Sequence, residues 1–296
     1  MTDGAIADNL IQPFHLAGGR VRGQLVRLGE TVDTILKSHD YPEPVLEILG
    51  EALALTSLLS ATLKFDGIFT LQTQSSGPVS LMVADFRTGG HLRAMAKFDG
   101  PAMAALAETD RPNLRQLLGT GHLAFTVDQG DDTERYQGIV ELDGSSLVEC
   151  AQAYFKQSEQ LATVIALAAR HGENGWRAGG LMLQRMPGEQ AHLELVDEDF
   201  EAWHTATVLM NSARPEELVD PNLTGSELLY RLFHEDGVWV HDTRALVPQC
   251  RCSRQRVENV LRSFPREEIT DMAEDGTVVV TCEFCNSSYR FDEAEF

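Results

Sequence analysis

Two stretches near the C-terminus, QCRCSRQRVENVLRSF (249–264) and TVVVTCEFCNSSYRF (277–291), decide how this end of the chain folds. They hold four of the five cysteines in 296 residues: Cys250, Cys252, Cys282 and Cys285. A C-x-C pair and a C-x-x-C pair supply soft sulfur donors, and tetrahedral Zn²⁺ accepts such a set with bonds of about 2.3 Å. The spacing therefore predicts a small four-cysteine zinc-binding domain over residues 246–296.

The residues around these cysteines predict a zinc knuckle with two short helices. A β-branched run, Thr277 to Thr281, leads into the C-x-x-C, and Ser287 to Phe291 follows it, which is typical of a hairpin with the cysteines at its tip. Ser253 can cap one helix and Pro265 can start another. Because about 50 residues bury too little apolar surface for comfortable stability, we expect the metal to decide whether this domain is folded.

The four cysteines allow two interpretations. One is a structural zinc site that only stabilises its domain. The other is a redox signal, because the thiols of each pair are close neighbours, so that oxidation can join them locally and remove ligands from the metal. A thioredoxin-like role for Cys282 and Cys285 is not indicated, since no βαβ pattern surrounds them.

Charge and hydropathy narrow the possible partners and the compartment. The 24 basic and 45 acidic residues give a net charge of −21 with no basic segment, which argues against nucleic acid as a partner. No stretch approaches the about 18 apolar residues of a membrane span, and the N-terminus lacks the basic start of a secretory signal. We therefore expect a cytoplasmic protein without membrane partners, in which paired thiols are metal ligands or redox groups.

Residues 1–193 are predicted to form an α+β core domain with a mostly antiparallel sheet. The strands are expected at 21–28, 68–74, 79–86, 91–98, 122–127, 136–142, 162–168 and 180–185. A long Ala/Leu-rich helix is expected from Val45 to Leu63. A shorter helix carries Cys150, whose helical spacing from Leu147 and Tyr154 predicts a thiol buried in the core.

Residues 194–245 are predicted to be helical, unlike the strand-rich segment before them. Mostly apolar side chains recur every three or four positions, as expected for an amphipathic helix with an acidic opposite face: Leu193, Val196, Phe200, Trp203, Thr207 and Met210. Thr224 and Glu227 have the spacing of a capping box that starts a second helix. The segment is interpreted as a helical linker between the core and the zinc domain, or alternatively as two helices that complete the core.

The sequence carries none of the common catalytic motifs for nucleotide, hydrolase or metalloprotease chemistry. His171 and Glu173 match the H-x-E half of a zinc deaminase, but Thr281 stands where the other half requires proline. Four thiolates would also fill the zinc shell, whereas catalytic zinc keeps one position open. We predict that the protein is not an enzyme.

The motifs together resemble one family. The C-terminal QCRCSRQRVENVLRSF (249–264), the acidic EEITDMAEDG (267–276) and VTCEFCNSSYRF (280–291) closely resemble the redox-switch domain of the 33-kilodalton heat-shock protein family. YFKQSEQ (154–160) and AGGLMLQRMPG (178–188) resemble segments of that family's core domain. The resemblance spans nearly the whole chain in the expected order.

This resemblance implies an ATP-independent holdase chaperone that is inactive when reduced and zinc-bound. Oxidative stress would form disulfides, expected as Cys250–Cys252 and Cys282–Cys285, release zinc, unfold the switch domain and destabilise the linker. Exposed apolar surface would then bind unfolding client proteins and prevent their aggregation, with homodimerisation on activation. Cys150 matches no switch position and receives no role.

A second function from another class is a zinc-stabilised adaptor whose knuckle binds a protein partner or serves transcription. The cluster of Arg251, Arg254, Arg256 and Arg262 favours it. The acidic surplus of the same domain opposes it. Suppression of aggregation by the oxidised chain would distinguish the holdase from the adaptor.

Overall fold

The computed structural model describes residues 8–106, 112–130, 135–186 and 197–296. The chain divides into two compact units, Met1–Pro248 and Gln249–Phe296. Each unit has its own sheet structure and its own hydrophobic cluster. Within the described residues, no helix combines the length and the apolar character needed to cross a membrane.

The first unit contains two sheets and a set of helices. Its strands are β1 (Leu10–Leu16), β2 (Val21–Leu28), β3 (Ile68–Ser75), β4 (Val79–Arg87), β5 (His91–Phe98), β6 (Gly121–Asp128), β7 (Tyr136–Glu141), β8 (Thr163–Gly172), β9 (Gly175–Arg185), β10 (Val238–Val240), β11 (Arg244–Ala245) and β12 (Val247–Pro248). Its helices are α1 (Glu30–Lys37), α2 (Glu43–Ser60), α3 (Gly100–Leu106), α4 (Leu114–Leu118), α5 (Leu147–Tyr154), α6 (Asp197–Asn211), α7 (Pro215–Val219) and α8 (Gly225–Phe233).

The two sheets are almost entirely antiparallel. Sheet A has the order β10-β1-β2-β9-β8, with β11 also paired to β1. Sheet B has the order β12-β5-β4-β3-β6-β7, and only its short β12 runs parallel to its neighbour. This arrangement confirms the predicted α+β class with mostly antiparallel sheets.

Helix α2 contacts strands of both sheets and forms the centre of the main core. Thirteen of its 18 residues are buried, so the helix is apolar around most of its circumference, as expected for a core helix rather than a surface helix. Gly50 allows the close approach to sheet A, since a Cβ there would lie 2.8 Å from the Cβ of Ala169. The thiol of Cys150 is buried in the same core, as predicted.

The other face of sheet A is covered by α6, α7 and α8, and we call this contact the outer interface. Its sheet side consists of alternating residues that point away from α2: Phe14, Leu16, Val21, Leu25, Leu181 and Leu183. Its helix side is led by Leu228, Leu232 and Phe233, all fully or almost fully buried. The predicted capping box at the start of α8 is present, because Thr224 accepts from the N–H of Glu227 while Glu227 accepts from the N–H of Thr224.

Two arginines, one buried and one half-buried, tie the end of α7 and the residue after it to sheet A. Arg27 is fully buried and donates to the carbonyl of Asp220 at 2.6 Å, while Arg177 donates to the carbonyl of Val219 at 2.7 Å. Asp8 accepts from both guanidinium groups, at 3.0 and 2.6 Å. The segment is therefore held by polar anchors as well as by apolar packing.

The predicted elements of the core are close to the observed ones. The strand at 91–98 is β5, and the long helix has nearly its predicted start. The strands predicted at 162–168 and 180–185 extend toward each other as a long hairpin, which turns at Gly175 with a positive φ of 99°. The sequence did not indicate the full length of this hairpin, because its Gly and Ala residues have weak strand preference.

Residues 197–245 lie within the first unit, as in the interpretation in which the helices complete the core. Helix α8 packs on sheet A, and β10 pairs with β1 through Phe14 and Val240. The compact units divide the chain at 248/249. The predicted boundary at 193/194 lies outside the described residues, and the linker role of 194–245 stays a prediction.

The predicted apolar stripe of α6 was wrong in one place. Ala206 and Met210 are buried and Trp203 is partly buried against the outer interface, but Phe200 is 60% exposed. The helix turns its packing face toward Ala206, a small residue that a pattern of large apolar side chains does not reveal. Leu193 and Val196, also predicted on this stripe, lie outside the described residues.

The second unit is a small three-stranded sheet with two helices. It contains α9 (Arg254–Leu261), α10 (Arg266–Met272), β13 (Ala273–Glu274), β14 (Thr277–Thr281) and β15 (Ser288–Asp292), followed by a short 3₁₀ turn. The strands pair in the order β13-β14-β15. Ser253 caps α9 by accepting from the N–H of Arg256, as the sequence predicted.

We expect the outer interface to carry a large share of the stability of the first unit. Phe233→Ala should lower its free energy of unfolding by about 3–5 kcal/mol, since the ring is fully buried and its removal leaves a cavity. Tyr230→Ala is the matched control on the same helix, because Tyr230 is 66% exposed and should change stability by only about 0.5 kcal/mol. Urea unfolding followed by circular dichroism measures both, and equal effects would contradict this packing.

Candidate metal centre

The four clustered cysteines belong to two separate segments of the second unit. Cys250 and Cys252 lie in the extended chain just before α9, whose cap at Ser253 fixes where the helix begins. Cys282 and Cys285 lie in the turn between β14 and β15. The sequence predicted both locations.

The turn is a knuckle whose own backbone hydrogen bonds close it. The N–H of Cys282 donates to the carbonyl of Ser287 at 2.9 Å, and the N–H of Asn286 donates to the carbonyl of Cys282 at 2.8 Å. Asn286 has a positive φ of 55°, a conformation that asparagine tolerates better than most residues. This geometry turns both thiols toward the same side of the hairpin.

The four sulfur atoms form one cluster. The Sγ atoms of Cys250 and Cys282 are 3.6 Å apart, and those of Cys252 and Cys285 are 3.3 Å apart. All four lie within 4.8 Å of one another, and all four side chains are half-buried and free of disulfides. Such a group can hold a metal ion. Among the described residues it is the one group of three or more His, Cys, Asp or Glu with this property.

The surroundings make the metal-free thiols unequal. Burial raises the pKa of Cys252 to about 12, although a hydrogen bond from the Tyr289 hydroxyl at 3.1 Å opposes this. Burial also raises the pKa of Cys282. For Cys285 burial acts in the same direction, but hydrogen bonds with Ser287 and the neighbouring thiols outweigh it and lower the pKa to about 7. A bound cation would favour the thiolate at every position.

Few buried side chains pack beneath the cysteine cluster. The hydrophobic cluster of the second unit has four buried members: Leu261, Ile269, Val278 and Phe291. The guanidinium of Arg254 lies 4.2 Å from the ring centroid of Phe291 and also donates to the carbonyl of Arg290 at 2.6 Å, which joins α9 to β15. The metal-free unit thus has few contacts that hold the two cysteine pairs together.

The other sequence candidates lie elsewhere. Cys150 is buried in the first unit, and desolvation raises the pKa of its thiol, as expected for a small core residue. His171 is exposed near the end of β8 and is not a member of the cysteine cluster. Sequence reasoning missed Tyr289 and Ser287 as partners of the thiols. Their place directly after the C-x-x-C is the signal that could have found them.

The fold and site define a class of protein with an α+β unit of two mostly antiparallel sheets, followed by a small unit whose four clustered cysteines could hold a metal ion. Comparison with known proteins is more specific, because the family profile described as "Hsp33 protein" matches residues 9–292. The 33 kDa chaperonin of Caulobacter vibrioides is 42% identical over 98% of this chain and 97% of that protein. The 33 kDa chaperonin of an Escherichia coli strain is 39% identical over 92% of this chain and 88% of that protein.

A solved structure agrees at the level of the fold. The crystal structure of a 33 kDa chaperonin (heat shock protein 33 homolog) from Thermotoga maritima matches with a TM-score of 0.82 and 23% identity, over 98% of this chain and 96% of that one. The chain therefore belongs to the Hsp33 family of chaperones.

We expect the cluster to bind one metal ion per chain, with all four thiols contributing. Cys282→Ser should weaken binding strongly, because three thiolates and a hydroxyl form a poorer donor set for a soft cation. Cys150→Ser, in the core of the first unit, should leave stoichiometry and affinity unchanged. Equilibrium dialysis against Zn²⁺ with elemental analysis measures both. Equal metal contents of the two variants at limiting Zn²⁺ would contradict this ligand set.

Proposed function

We propose that this chaperone is a redox-regulated, ATP-independent holdase that oxidation switches on. In the reduced state Cys250, Cys252, Cys282 and Cys285 hold one Zn²⁺, and the chaperone is inactive. Oxidation converts the four thiols to two disulfides and releases the zinc. The protein then binds unfolding clients and prevents their aggregation.

The cluster geometry supports zinc as the metal. A tetrahedral ion with Zn–S bonds of about 2.3 Å requires sulfur atoms about 3.8 Å apart. The two measured neighbour distances of 3.6 and 3.3 Å lie close to this value, so a small movement of the thiols completes the site. The all-sulfur donor set also favours Zn²⁺ over the harder cations that prefer oxygen. When bound, the metal would link the two ends of the unit.

The switch chemistry needs only the four thiols and an oxidant such as hydrogen peroxide. One thiolate attacks the peroxide and becomes a sulfenic acid, and the second thiol of the pair displaces water from it to form the disulfide. Each pair gives up two electrons and two protons, and each peroxide is reduced to two molecules of water. We propose the pairs Cys250–Cys252 and Cys282–Cys285, because these short spans keep the thiols together after the unit unfolds.

Loss of the metal should unfold the second unit. Structural zinc contributes on the order of 10–16 kcal/mol of apparent binding free energy near neutral pH. Four buried side chains cannot replace that contribution, since a core this small leaves little net stability after chain entropy. The composition of the second unit therefore supports a metal-dependent fold.

The client-binding surface is proposed to come from the outer interface. Residues 197–248 run directly into the second unit along the chain, so unfolding beyond Gln249 removes the order of the chain at their C-terminal end. Separation of α6 and α8 from sheet A would uncover the row of apolar side chains that begins with Phe14 and Leu25. An exposed apolar area of this kind can hold the apolar segments of an unfolded protein.

The remaining proposals concern the partners of the protein, its compartment and its lack of enzymatic activity. We infer unfolded client proteins as its partners, homodimerisation on activation, action in the cytoplasm during oxidative stress and no enzymatic activity. The net charge of −21 supports the absence of nucleic acid from the partners.

The observation that carries the proposal is the cluster of four free thiols within 4.8 Å in a unit with a four-residue core. Light scattering of an aggregating test protein is the test, with equal amounts of the reduced, zinc-loaded chain and the peroxide-treated chain. We expect suppression only after oxidation, and a zinc-sensitive dye should report metal release over the same period. Equal suppression by both forms, or oxidation of all four thiols with the zinc retained, would contradict the proposal.

The role of the outer interface can be tested through the temperature at which oxidation activates the protein. Trp203→Ala should lower that temperature, because it removes a large side chain that packs α6 against sheet A. Phe200→Ala is the matched control, since it deletes an exposed ring from the same helix. Hydrophobic-dye fluorescence during heating with peroxide gives both thresholds. A change of the same size in both variants would mean that docking of α6 does not limit activation.

A further inference from the structure

A small cavity opens at one end of the core of the first unit, far in sequence from the cysteine cluster. It lies where the two sheets meet the C-terminal end of α2 and the end of α5, and its volume is about 200 Å³. Sheet B contributes Phe69, Phe125 and Tyr136, and the chain at the end of α5 contributes Tyr154 and Phe155. Leu63 also lines the cavity and is 40% exposed, which places it at the mouth.

The walls are built largely of aromatic rings. The ring centroids of Phe125 and Tyr154 are 4.9 Å apart, and those of Tyr154 and Phe155 are 5.6 Å apart. Phe69 stacks on Phe125 from the other side, with centroids 6.3 Å apart. Apolar cavities of about 150 Å³ accept a molecule such as benzene, so this volume suits one ring with a small substituent.

The segment that forms one wall has an unusual backbone. Residues Phe155–Glu159 form a single π-helical turn, and Gln160 ends it with a positive φ of 53°. Turns of this kind are uncommon and are frequently found at functional sites. Here the turn places Phe155 and Glu159 on the cavity and allows Glu159 to accept from the hydroxyls of Tyr136 and Tyr154, at 2.8 and 2.9 Å.

A guanidinium group that lacks a carboxylate partner among the described residues also lines the cavity. Arg22 donates to the side-chain oxygen of Gln184 at 2.7 Å, but its Nε is buried and has no hydrogen-bond partner in the described part of the chain. Gln184 is only 2% exposed, so the guanidinium has a fixed neighbour. Desolvation lowers the pKa of Arg22, because burial disfavours its positive charge.

The charges at the cavity favour an anion beside Arg22. Glu159 is the other charged group that lines it, but that carboxylate is exposed and already accepts two tyrosine hydroxyl donors. A positively charged group at an apolar cavity is stabilised by a charged acceptor beside it, because hydrogen bonds between charged groups are the stronger ones. A ligand with an apolar body and one carboxylate satisfies both the rings and the guanidinium.

We propose that this cavity binds a small apolar carboxylate, such as an aryl carboxylate, with its ring among the aromatic side chains and its carboxylate on Arg22. Binding would not involve the cysteines, so it should occur in the reduced protein. The site would be a small-molecule site of the core domain, separate from the proposed client surface on the other face of sheet A.

Isothermal titration of the reduced full chain with benzoate, and separately with neutral benzamide, tests the proposal. We expect one benzoate per chain, with benzamide weaker by about tenfold or more, because a hydrogen bond to a charged group is replaced by a weaker one. Shifts of the Tyr154 and Phe155 ring signals in the NMR spectrum should accompany benzoate binding. No saturable binding, or equal affinity for the two probes, would overturn the proposal.

Three variants distinguish binding in this cavity from binding elsewhere on the protein surface. Arg22→Met should remove the preference for benzoate over benzamide, whereas Arg20→Met, which removes a positive charge from an exposed neighbouring position, should retain it. Leu63→Trp should abolish binding of both probes by filling the mouth, and it does not depend on the stability of the Arg22 variant. Benzoate affinity that is unchanged in both Arg22→Met and Leu63→Trp would place the ligand elsewhere and overturn the proposal.

Discussion

The small size of the second unit limits how much stability apolar packing can give it. The unit, Gln249–Phe296, encloses only four buried apolar side chains together with a cluster of four thiols. Chain entropy of about 1–2 kcal/mol per residue opposes folding of any segment, and this core offers little to offset it. In the proposed function, a bound metal supplies the missing free energy, and its thiol ligands make that contribution sensitive to oxidants. Stability and redox state would then be coupled through the same four sulfur atoms.

The first unit supplies what such a switch would control. Sheet A has two apolar faces: one is covered by α2 in the main core, and the other is covered by α6 to α8. The helices of the outer interface lie late in the chain, next to the second unit in sequence. The polar anchors of Arg27 and Arg177 on the carbonyls of Asp220 and Val219 hold them when the protein is intact. Opening the outer interface would break these anchors and also separate the apolar side chains that pack around Phe233.

Much of this arrangement could be predicted from local sequence patterns. Cysteine spacing located the four clustered thiols, and period-two apolar patterns located most strands, because both signals are short in range. What could not be predicted depends on contacts distant in sequence. The sequence left open whether residues 197–245 are a linker or part of the core, and their place in the first unit follows from pairing of β10 with β1 and from burial of Phe233 against Phe14, near the other end of the chain. The exposure of Phe200 likewise depends on which side of α6 meets sheet A. Arg22 and the π-helical turn gave no sequence signal, because their significance comes from the cavity that they line.

Hydrogen exchange followed by mass spectrometry can show whether loss of the metal unfolds the second unit and loosens the outer interface. The zinc-loaded, reduced chain and the peroxide-treated chain are compared at the temperature of activation. We expect protection to disappear throughout residues 249–296 and to fall in α6 and α8, whereas β3, β4 and α2 keep theirs. Full protection of residues 249–296 after the zinc has left would contradict this coupling of metal, fold and activity.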